Sequence, residues 1–402
     1  MMKKILVINA GSSSIKWQIF TKEDFSLFAQ GLIERIGISG GFFKLSGPNG
    51  KFELAFDVSD HKSAMAKLIQ IWLEQKVVED VLEIEVAGFR IVHGGSIFRG
   101  PTKLDDEKIA QISQLSKFAP LHNPGAVQTI VAIQQILPNV KLAASFDTAF
   151  HADIPAINYT YAIDQEFAKK YGIQKYGFHG ISHKFITNTL EKVLSTSQVN
   201  YVNMHIGNGA SLAAIKESKS FDTTMGLTPL AGVMMGTRSG DIDPSIHLFA
   251  AQEAHLSIEE FTDMLNKKSG LLGVSGISSD MRDLITAAQS GDQKAKFALE
   301  LYAQKIVNYL VDYINKVGKN IQALVFTGGV GENSAFMREL IISKVDLPKL
   351  NIKIDTKINN KPLGEFAQVE LVSSQDSDIP IYVIKTNEEL LIAQNAIKSF
   401  ES

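Results

Sequence analysis

The chain contains no cysteine. Disulfides, thiolate metal sites and a catalytic thiol are therefore excluded, and the absence fits a reducing compartment. A dominant charge of either sign is also lacking: 40 Lys and Arg stand against 43 Asp and Glu, a formal net charge of -3 at pH 7. No broad basic field exists to attract nucleic acid or an anionic membrane, so neither is expected as a partner. A local basic pocket is compatible with that total. No uninterrupted apolar stretch approaches the ~20 residues of a membrane span. Two lysines precede an apolar run at the N-terminus, but that run stops at Asn9 after four residues. It is too short for the core of a secretory signal, and the expectation is a cytoplasmic protein with no membrane anchor. Low-complexity segments and Pro/Gly/Ser-rich linkers are missing as well.

What is present is an ordinary globular composition, 45% hydrophobic and 21% charged over 402 residues. That length accommodates two domains, each with its own core. Lys4–Asn9 is short, apolar and rich in β-branched residues; it runs into Gly11-Ser12-Ser13-Ser14, and a second apolar segment, Ile15–Phe20, follows. Two strands joined by a small-residue turn are expected. Further strands are expected at Val86–Val92 and Lys141–Phe146, with helices over Asp105–Phe118 and Ala126–Leu137. The second half repeats the layout: a strand Tyr201–Ile206, a turn Gly207-Asn208-Gly209-Ala210-Ser211, and a return strand Ser211–Ile215. The echo suggests a duplicated fold. Helices follow at Ile258–Lys267 and Lys294–Val317, then a buried strand Gln322–Thr327 entering Gly328-Gly329-Val330-Gly331, and a helix from near Ser334. The last helix is Glu388–Ser399, with Thr386-Asn387 as its N-cap region. Strands mixed with helices throughout imply an α/β protein, its domain boundary just after Phe146, near His151–Pro155.

Three Gly-rich turns follow expected strands: Ala10–Ser14, Gly207–Ser211 and Gly328–Ser334. Glycine lets backbone amides approach an anion and hydroxyls add donors; Lys16, after the first turn, is placed to neutralise a phosphate. None of the three fits the P-loop or dinucleotide fingerprint, and each alone reads as a hairpin. Together they point to a nucleotide-binding α/β protein. Four other segments are dense in reactive polar groups: Arg90–Gly95, Phe146–His151, Tyr176–Gly180 and Gly236–Asp241. Taken singly, an arginine there is a salt-bridge partner, Asp147 a helix N-cap, and His179 a hydrogen-bonded core histidine. Five of the nine histidines (His93, His122, His151, His179, His205) fall in or near such turns, which favours a site.

Val7-Ile8-Asn9-Ala10-Gly11-Ser12-Ser13-Ser14-Ile15-Lys16 resembles the N-terminal signature of acetate kinases, and Lys175-Tyr176-Gly177-Phe178-His179-Gly180-Ile181-Ser182-His183 resembles their second signature. The resemblance extends to Ala119–Pro124, His205–Ser211, Gly236-Thr237-Arg238, Gly328–Ser334 and Thr386–Leu390, from Lys4 to about Ala396. It implies two duplicated actin-like (ribonuclease H-like) α/β domains with a nucleotide cleft between them: 1–150 plus 388–402, the C-terminal helix returning to the first domain, and 151–387. It also implies a homodimer and reversible phosphoryl transfer from ATP to acetate, giving acetyl phosphate and ADP, dependent on Mg²⁺ with Mn²⁺ able to substitute.

Carried over by the resemblance, Asn9 and Glu388 help hold Mg²⁺, and Lys16 contacts the nucleotide phosphates. His205, Ile206, Gly207, Asn208 and Gly209 form the second phosphate loop; Asp280, Met281 and Arg282 line the ribose and adenine side; Gly329, Val330, Gly331, Glu332 and Asn333 pack against the adenosine. Arg90, Asp147, His179 and Arg238 surround the transferring phosphoryl group, and Val92, Leu121, Phe178 and Pro229 form the acyl pocket. Two positions depart from the family: Ser96 stands where a glutamate is common, and Met281 where an aromatic residue is common. The first puts a metal-linked role in doubt and the second softens the base preference.

These residue types suit the reaction. Acetate is already ionised, so the difficulty is bringing two anions together rather than removing a proton, and phosphoryl transfer is mainly positioning and charge stabilisation. Arg90 and Arg238 offer permanently charged forks, His179 a hydrogen bond, and Asp147 an orienting carboxylate. Branched Val92 crowds chains longer than acetate. The alternatives are a propionate or other short-chain fatty acid kinase, a sugar kinase, and a non-enzymatic actin-like ATPase.

Overall fold

The computed structural model describes residues 3–120, 122–361 and 367–401. The described chain forms two compact units, Met1–Ala152 with Asn387–Ser402, and Asp153–Thr386. Each is built on one mixed sheet.

In the first unit, β1 (Lys4–Ala10) is buried along nearly its whole length, as a central strand made of apolar residues on both faces must be. A tight turn, closed by Gly11 N donating to Ser14 O at 2.8 Å, returns the chain into β2 (Ser14–Thr21), which pairs antiparallel with Asn9 opposite Lys16. β3 (Leu27–Glu34), β4 (Phe42–Gly47) and β5 (Gly50–Ala55) extend the antiparallel wing. On the other side β1 runs parallel to β6 (Ile84–Ile91), and β6 parallel to β8 (Lys141–Phe146), with the short β7 (Thr102–Lys103) at the edge. The order is β5-β4-β3-β2-β1-β6-β8-β7.

The core of this unit lies under the antiparallel wing. Trp17 of β2 and Trp72 of the helix His61–Glu74 meet edge to face, ring centres 5.0 Å apart. Gly31 of β3 makes room for them: a Cβ there would stand 2.5 Å from the Trp17 ring and 2.2 Å from the Lys44 carbonyl. The β1–β2 turn is seated in the same way, with Gly125 close under the Gly11 carbonyl and His61 Nε2 2.8 Å from that oxygen.

The second unit repeats the plan. β9 (Tyr201–Ile206) and β10 (Ala210–Lys216) form an antiparallel hairpin, β11 (Lys219–Thr223) adds to β10, and β9 runs parallel to β12 (Ala323–Thr327). β13 (Val369–Leu371) and β14 (Ile381–Ile384) complete the order β11-β10-β9-β12-β14-β13. The segment β3-β2-β1-β6-β8 of the first sheet and β11-β10-β9-β12-β14 of the second share order and strand directions. The fold is mixed α/β, and its duplication is written in that shared order. No helix among the described residues is long and apolar enough to cross a membrane.

Some elements differ from the sequence expectation. The helix expected over 105–118 is an α-helix only over Asp106–Gln114, tightening into a 3₁₀ turn at Leu115–Lys117. The segment after β12 is not an open turn but a six-residue helix, Gly328–Asn333, followed by a second from Ala335. Glu332 causes this, its Oε1 folding back to accept from Gly328 N at 2.8 Å and Thr327 Oγ1 at 3.2 Å. β3 to β5 carry little apolar character on their outer face and were not expected.

Candidate active site

The candidate residues divide between the two units.

In the first unit, β1, β6 and β8 run parallel, so their C-terminal ends lie side by side, the place where open α/β sheets present ligands. Asn9 and Arg90 are the penultimate residues of β1 and β6, and Asp147 follows β8. The helix Glu388–Glu401 lies along β6. Gly88 permits this, since a Cβ there would stand 2.9 Å from Ile392 and 3.2 Å from Ala396. Side chains two apart on a strand share a face, so Arg90 emerges beside Gly88 and meets Glu388, one helical turn before Ile392. Asn387 Oδ1 accepts from Leu390 N at 3.0 Å and caps the helix start that carries Glu388.

The geometry around Arg90 is a buried fork. Its Nε and Nη2 donate to the two Asp147 carboxylate oxygens at 2.9 and 2.8 Å, and its Nη1 stands 3.6 Å from Glu388 Oε2. Asp147, 1% exposed, is therefore not a helix cap but the clamp that orients an arginine. Burial alone would pull the Arg90 guanidinium down; the Asp147 and Glu388 carboxylates outweigh it and hold the charge. Glu388 is the strained member. Burial pushes its carboxyl up to about 7, with Arg90 pulling the other way and Asp147 and Glu389 adding to the rise. Its Oε2, 3.6 Å from Arg90 Nη1, is buried without a hydrogen-bond partner, which leaves that oxygen available to a further cation. No group of three or more His, Asp or Glu forms a metal cage among the described residues. A hard divalent cation that keeps several waters and phosphate oxygens fits such a sparse donor set. Lys16 points to the outer face of β2, where it lines a cavity of about 460 Å³ with Gln18, Gln30, Lys44, Glu53 and Glu389. Val92 is partly buried just beyond β6.

The second unit gathers the other set. β9 and β12 are parallel with Thr327 opposite His205, so the turns that follow them are neighbours. Gly207 N donates to Gly209 O at 3.0 Å, closing the first turn, and a Cβ on Gly207 would lie 3.8 Å from Gly329 N. Gly236 N donates to Asn208 O at 3.0 Å and brings Arg238 alongside. His179, in a left-handed conformation with φ 56°, heads the helix Gly180–Val193. The position a Gly209 Cβ would take is 3.4 Å from Arg238 Nη1 and 3.5 Å from His179 Nε2, so one guanidinium and one imidazole lie side by side against Gly209. Burial pulls the Arg238 guanidinium below its ordinary range. Its Nη1 donates a long bond to the Pro229 carbonyl, 3.4 Å, and contacts the Met235 sulfur at 3.9 Å. It has no carboxylate partner among the described residues. A half-buried cation beside backbone amides, with no carboxylate partner among the described residues, is suited to receive an anion.

Other expected residues fall as follows. His205 is on β9, its ring 4.3 Å from that of His179 and its Nδ1 2.8 Å from Ser182 Oγ. Ile206 is buried at the end of β9. Gly329 and Asn333 are exposed, with Asn333 Nδ2 donating to Gly329 O at 2.8 Å, and Val330 and Gly331 complete that turn. Glu332 turns inward, its Oε1 also accepting from Thr386 N at 3.0 Å. Asp280 caps the helix Met281–Gln289 and pairs with the exposed Arg282 at 3.0 and 2.6 Å, which holds the Asp280 carboxyl down to about 2. Met281 is 6% exposed and turned into the unit, so Asp280 and Arg282, not the thioether, face outward at this turn. Of the acyl-pocket candidates, Phe178 is buried and Pro229 partly buried in this unit, Val92 belongs to the first unit, and Leu121 lies outside the described residues.

Not every flagged histidine joins a set. His93 is buried, its Nδ1 accepting from Gly95 N at 3.0 Å and its ring stacked on Phe118. Sequence reasoning missed the residues behind the site. Arg338, 2% exposed, donates to the Gly331 and Glu332 carbonyls at 2.9 Å each and to Asn359 Oδ1 at 2.6 Å, fastening the 328–333 helix from below. Asn203 and His183, both fully buried, sit behind Ser211. A polar residue at a buried position of an otherwise apolar strand was the only signal available for Asn203.

The chain matches the acetokinase family model over residues 4–394. It is 54% identical over 395 residues to an acetate kinase of Mycoplasmopsis pulmonis, covering 98% of this chain and 99% of that one. The crystal structure of Porphyromonas gingivalis acetate kinase superposes with a TM-score of 0.92 at 36% identity, covering 99% of this chain and all of that one. A propionate kinase from Francisella tularensis also gives 0.92, at 38% identity and the same coverage. A match that takes in both sheets, every glycine turn and the returning helix, with relatives of the same length, settles the lineage: this chain belongs to the acetokinase family.

Proposed function

We propose that the protein transfers the terminal phosphoryl group of ATP to acetate, reversibly, giving acetyl phosphate and ADP. The observation that carries this reading is the half-buried guanidinium of Arg238, with no carboxylate partner among the described residues, beside His179 and the Gly207–Gly209 turn. An acetate oxygen attacks the terminal phosphorus, the bond from phosphorus to the bridging oxygen breaks, and ADP leaves with that electron pair. No base is needed, because the acceptor arrives ionised. What the protein supplies is charge and alignment. Arg238 and His179 donate to the equatorial phosphoryl oxygens. Arg90, held planar by Asp147, takes an oxygen of the acetate carboxylate. The amides of the 207–209 turn and Lys16 serve the remaining phosphates, and the 280–282 and 329–333 segments take the nucleoside.

The sparse donor set fits Mg²⁺, which Glu388 and Asn9 would help hold, with Mn²⁺ able to replace it. When bound, it offsets phosphate charge. The active form is proposed to be a homodimer; the exposed apolar side chains of Leu248, Phe249 and Ile258 on neighbouring helices support an assembled surface.

Propionate is the second reading, favoured by the equally close structural match to a propionate kinase. An ADP-release assay with Mg-ATP and acids from formate to butyrate, with hydroxylamine trapping of the product, decides. Acetate is expected to be preferred, propionate accepted and butyrate poor. ATP turnover without hydroxamate from any acid would overturn carboxylate phosphorylation, and a higher kcat/KM for propionate would make the second reading the right one.

A further inference from the structure

We propose that Asn123 is a positioning residue for acid selectivity: its side-chain amide, closed on both backbone polar groups of His93, fixes where Val92 stands as a wall of the acyl pocket. The inference rests on the reading of Val92 as such a wall and names the group that holds the wall in place.

The need for a clip arises where the sheet stops. β6 leaves its ladder at Ile91, paired with Phe146 of β8, and Asp147 N donates to Ile91 O at 2.9 Å. The chain runs on through Val92 to His93, which is fully buried. Backbone groups buried beyond a strand end need partners from elsewhere. Asn123, the first residue of the helix Asn123–Ile136 and itself fully buried, supplies both. Its Oδ1 accepts from His93 N at 3.2 Å, and its Nδ2 donates to His93 O at 3.0 Å. This pair fixes the orientation of the amide, because the flipped group would set its hydrogens against an N–H and its oxygen against a carbonyl. Of side chains this short, asparagine is the one that offers a donor and an acceptor side by side, as a neighbouring strand would.

The surroundings leave Val92 little freedom. Gly94 N donates to Thr148 Oγ1 at 3.1 Å, directly after Asp147. A Cβ on Gly94 would stand 2.9 Å from the Phe146 ring, and one on Gly95, at φ 58°, would stand 2.8 Å from Leu115. Val92 is thus held between Arg90, clamped by Asp147, and a turn pinned on several sides. The same helix start also seats the β1–β2 turn, since a Cβ on Gly125 would lie 2.6 Å from the Gly11 carbonyl oxygen. One element therefore holds the acyl wall and the first glycine turn in register. Discrimination by a single methylene needs a wall that does not yield, and a valine on an untethered loop would give way to the longer acid.

Asn123→Ala removes both bonds at once. The butyrate-to-acetate ratio of kcat/KM is expected to rise about three- to tenfold, with the KM for ATP held within about twofold. In Val92→Ala combined with Asn123→Ala, the ratio should stay within about twofold of Val92→Ala alone, because the amide acts through the side chain that is gone. A folded Asn123→Ala enzyme with the wild-type acid ratio, or a double variant in which the two gains multiply, overturns the assignment. Asn123→Asp keeps the volume and the acceptor, loses the bond to the His93 carbonyl, and is read in the same way where the alanine variant does not fold. Hydrogen exchange in the wild type needs no variant. The His93 amide is expected to exchange at least about a hundredfold more slowly than an open-loop amide, and exchange at the open-loop rate overturns the clip. Hydroxylamine trapping keeps the two layers apart: a wild type that yields no hydroxamate with any acid defeats the reading of the site, while the exchange rate still judges the clip.

Discussion

Asp147→Asn is the substitution whose outcome follows most closely from the geometry. Asp147 accepts two bonds from Arg90, at 2.9 and 2.8 Å, from a position 1% exposed. Asparagine retains one acceptor oxygen and sets its amide hydrogens against a fork that only donates. One charge-assisted bond is lost, about 1.5–3 kcal/mol of orientation for the guanidinium. If Arg90 acts only when so oriented, that is about ten- to hundredfold in kcat/KM for acetate. A second effect accompanies it. Asp147 is one of the groups that raise the Glu388 carboxyl, and Arg90, partly released, swings toward Glu388 Oε2, now 3.6 Å away. The guanidinium then competes for the oxygen assigned to the cation, so the half-saturating Mg²⁺ concentration rises. Hydroxamate trapping at varied acetate and Mg²⁺ measures both, with a thermal melt to confirm folding. A folded Asp147→Asn enzyme within about twofold of wild type in both would refute the clamp, since it discards the larger part of the assigned effect.

Glu388→Gln keeps the shape of the orphaned oxygen but not its charge; the Mg²⁺ requirement is expected to rise at least about tenfold, and equilibrium Mn²⁺ binding in the presence of ADP, followed by electron paramagnetic resonance, checks it without turnover. Val92→Ala enlarges the acyl end, and the butyrate-to-acetate ratio of kcat/KM is expected to rise about tenfold, the value of roughly one methylene. The buried Lys4–Glu83 pair predicts an acid limb in stability. Burial pushes the Glu83 carboxyl up, but Lys4 and the Glu79 and Asp80 amides outweigh it and leave it below the usual range. A depressed folded value means that the stabilisation is present above the unfolded glutamate value of about 4.3 and is lost as pH falls through the folded one. Melting temperature against pH should fall more steeply below that value for wild type than for Glu83→Gln, and parallel curves would dismiss the pair.

Much of this was legible in the letters because the turns are punctuated. Glycine and serine after short apolar runs marked β1–β2 and β9–β10, and the repetition of that layout anticipated the shared strand order. What composition could not reveal is pairing at a distance. Arg90 and Asp147 are 57 residues apart and meet only because β6 and β8 are parallel neighbours. Gly88 carried no visible message until Ile392 of the last helix was found against it. Glu332 was assigned to the nucleotide by the family resemblance alone, and no letter pattern announced that its carboxylate is taken up by Gly328, Thr327 and Thr386. His93 and His179 looked alike in sequence; the first stacks on Phe118, and only the second heads a helix beside an open glycine. The wing β3 to β5 escaped notice because one of its faces is polar and its strands carry glycine where Trp17 must fit.

The account stands on a half-buried guanidinium, without a carboxylate partner among the described residues, that receives a phosphoryl group. Chemical rescue of Arg238→Ala tests that most directly. Loss of the side chain should lower kcat about 10³-fold, and added guanidinium ion should restore part of it in a saturable way, with ammonium at equal ionic strength much less effective. A folded Arg238→Ala enzyme of near wild-type turnover, or one that ammonium and guanidinium raise equally, would contradict the claim.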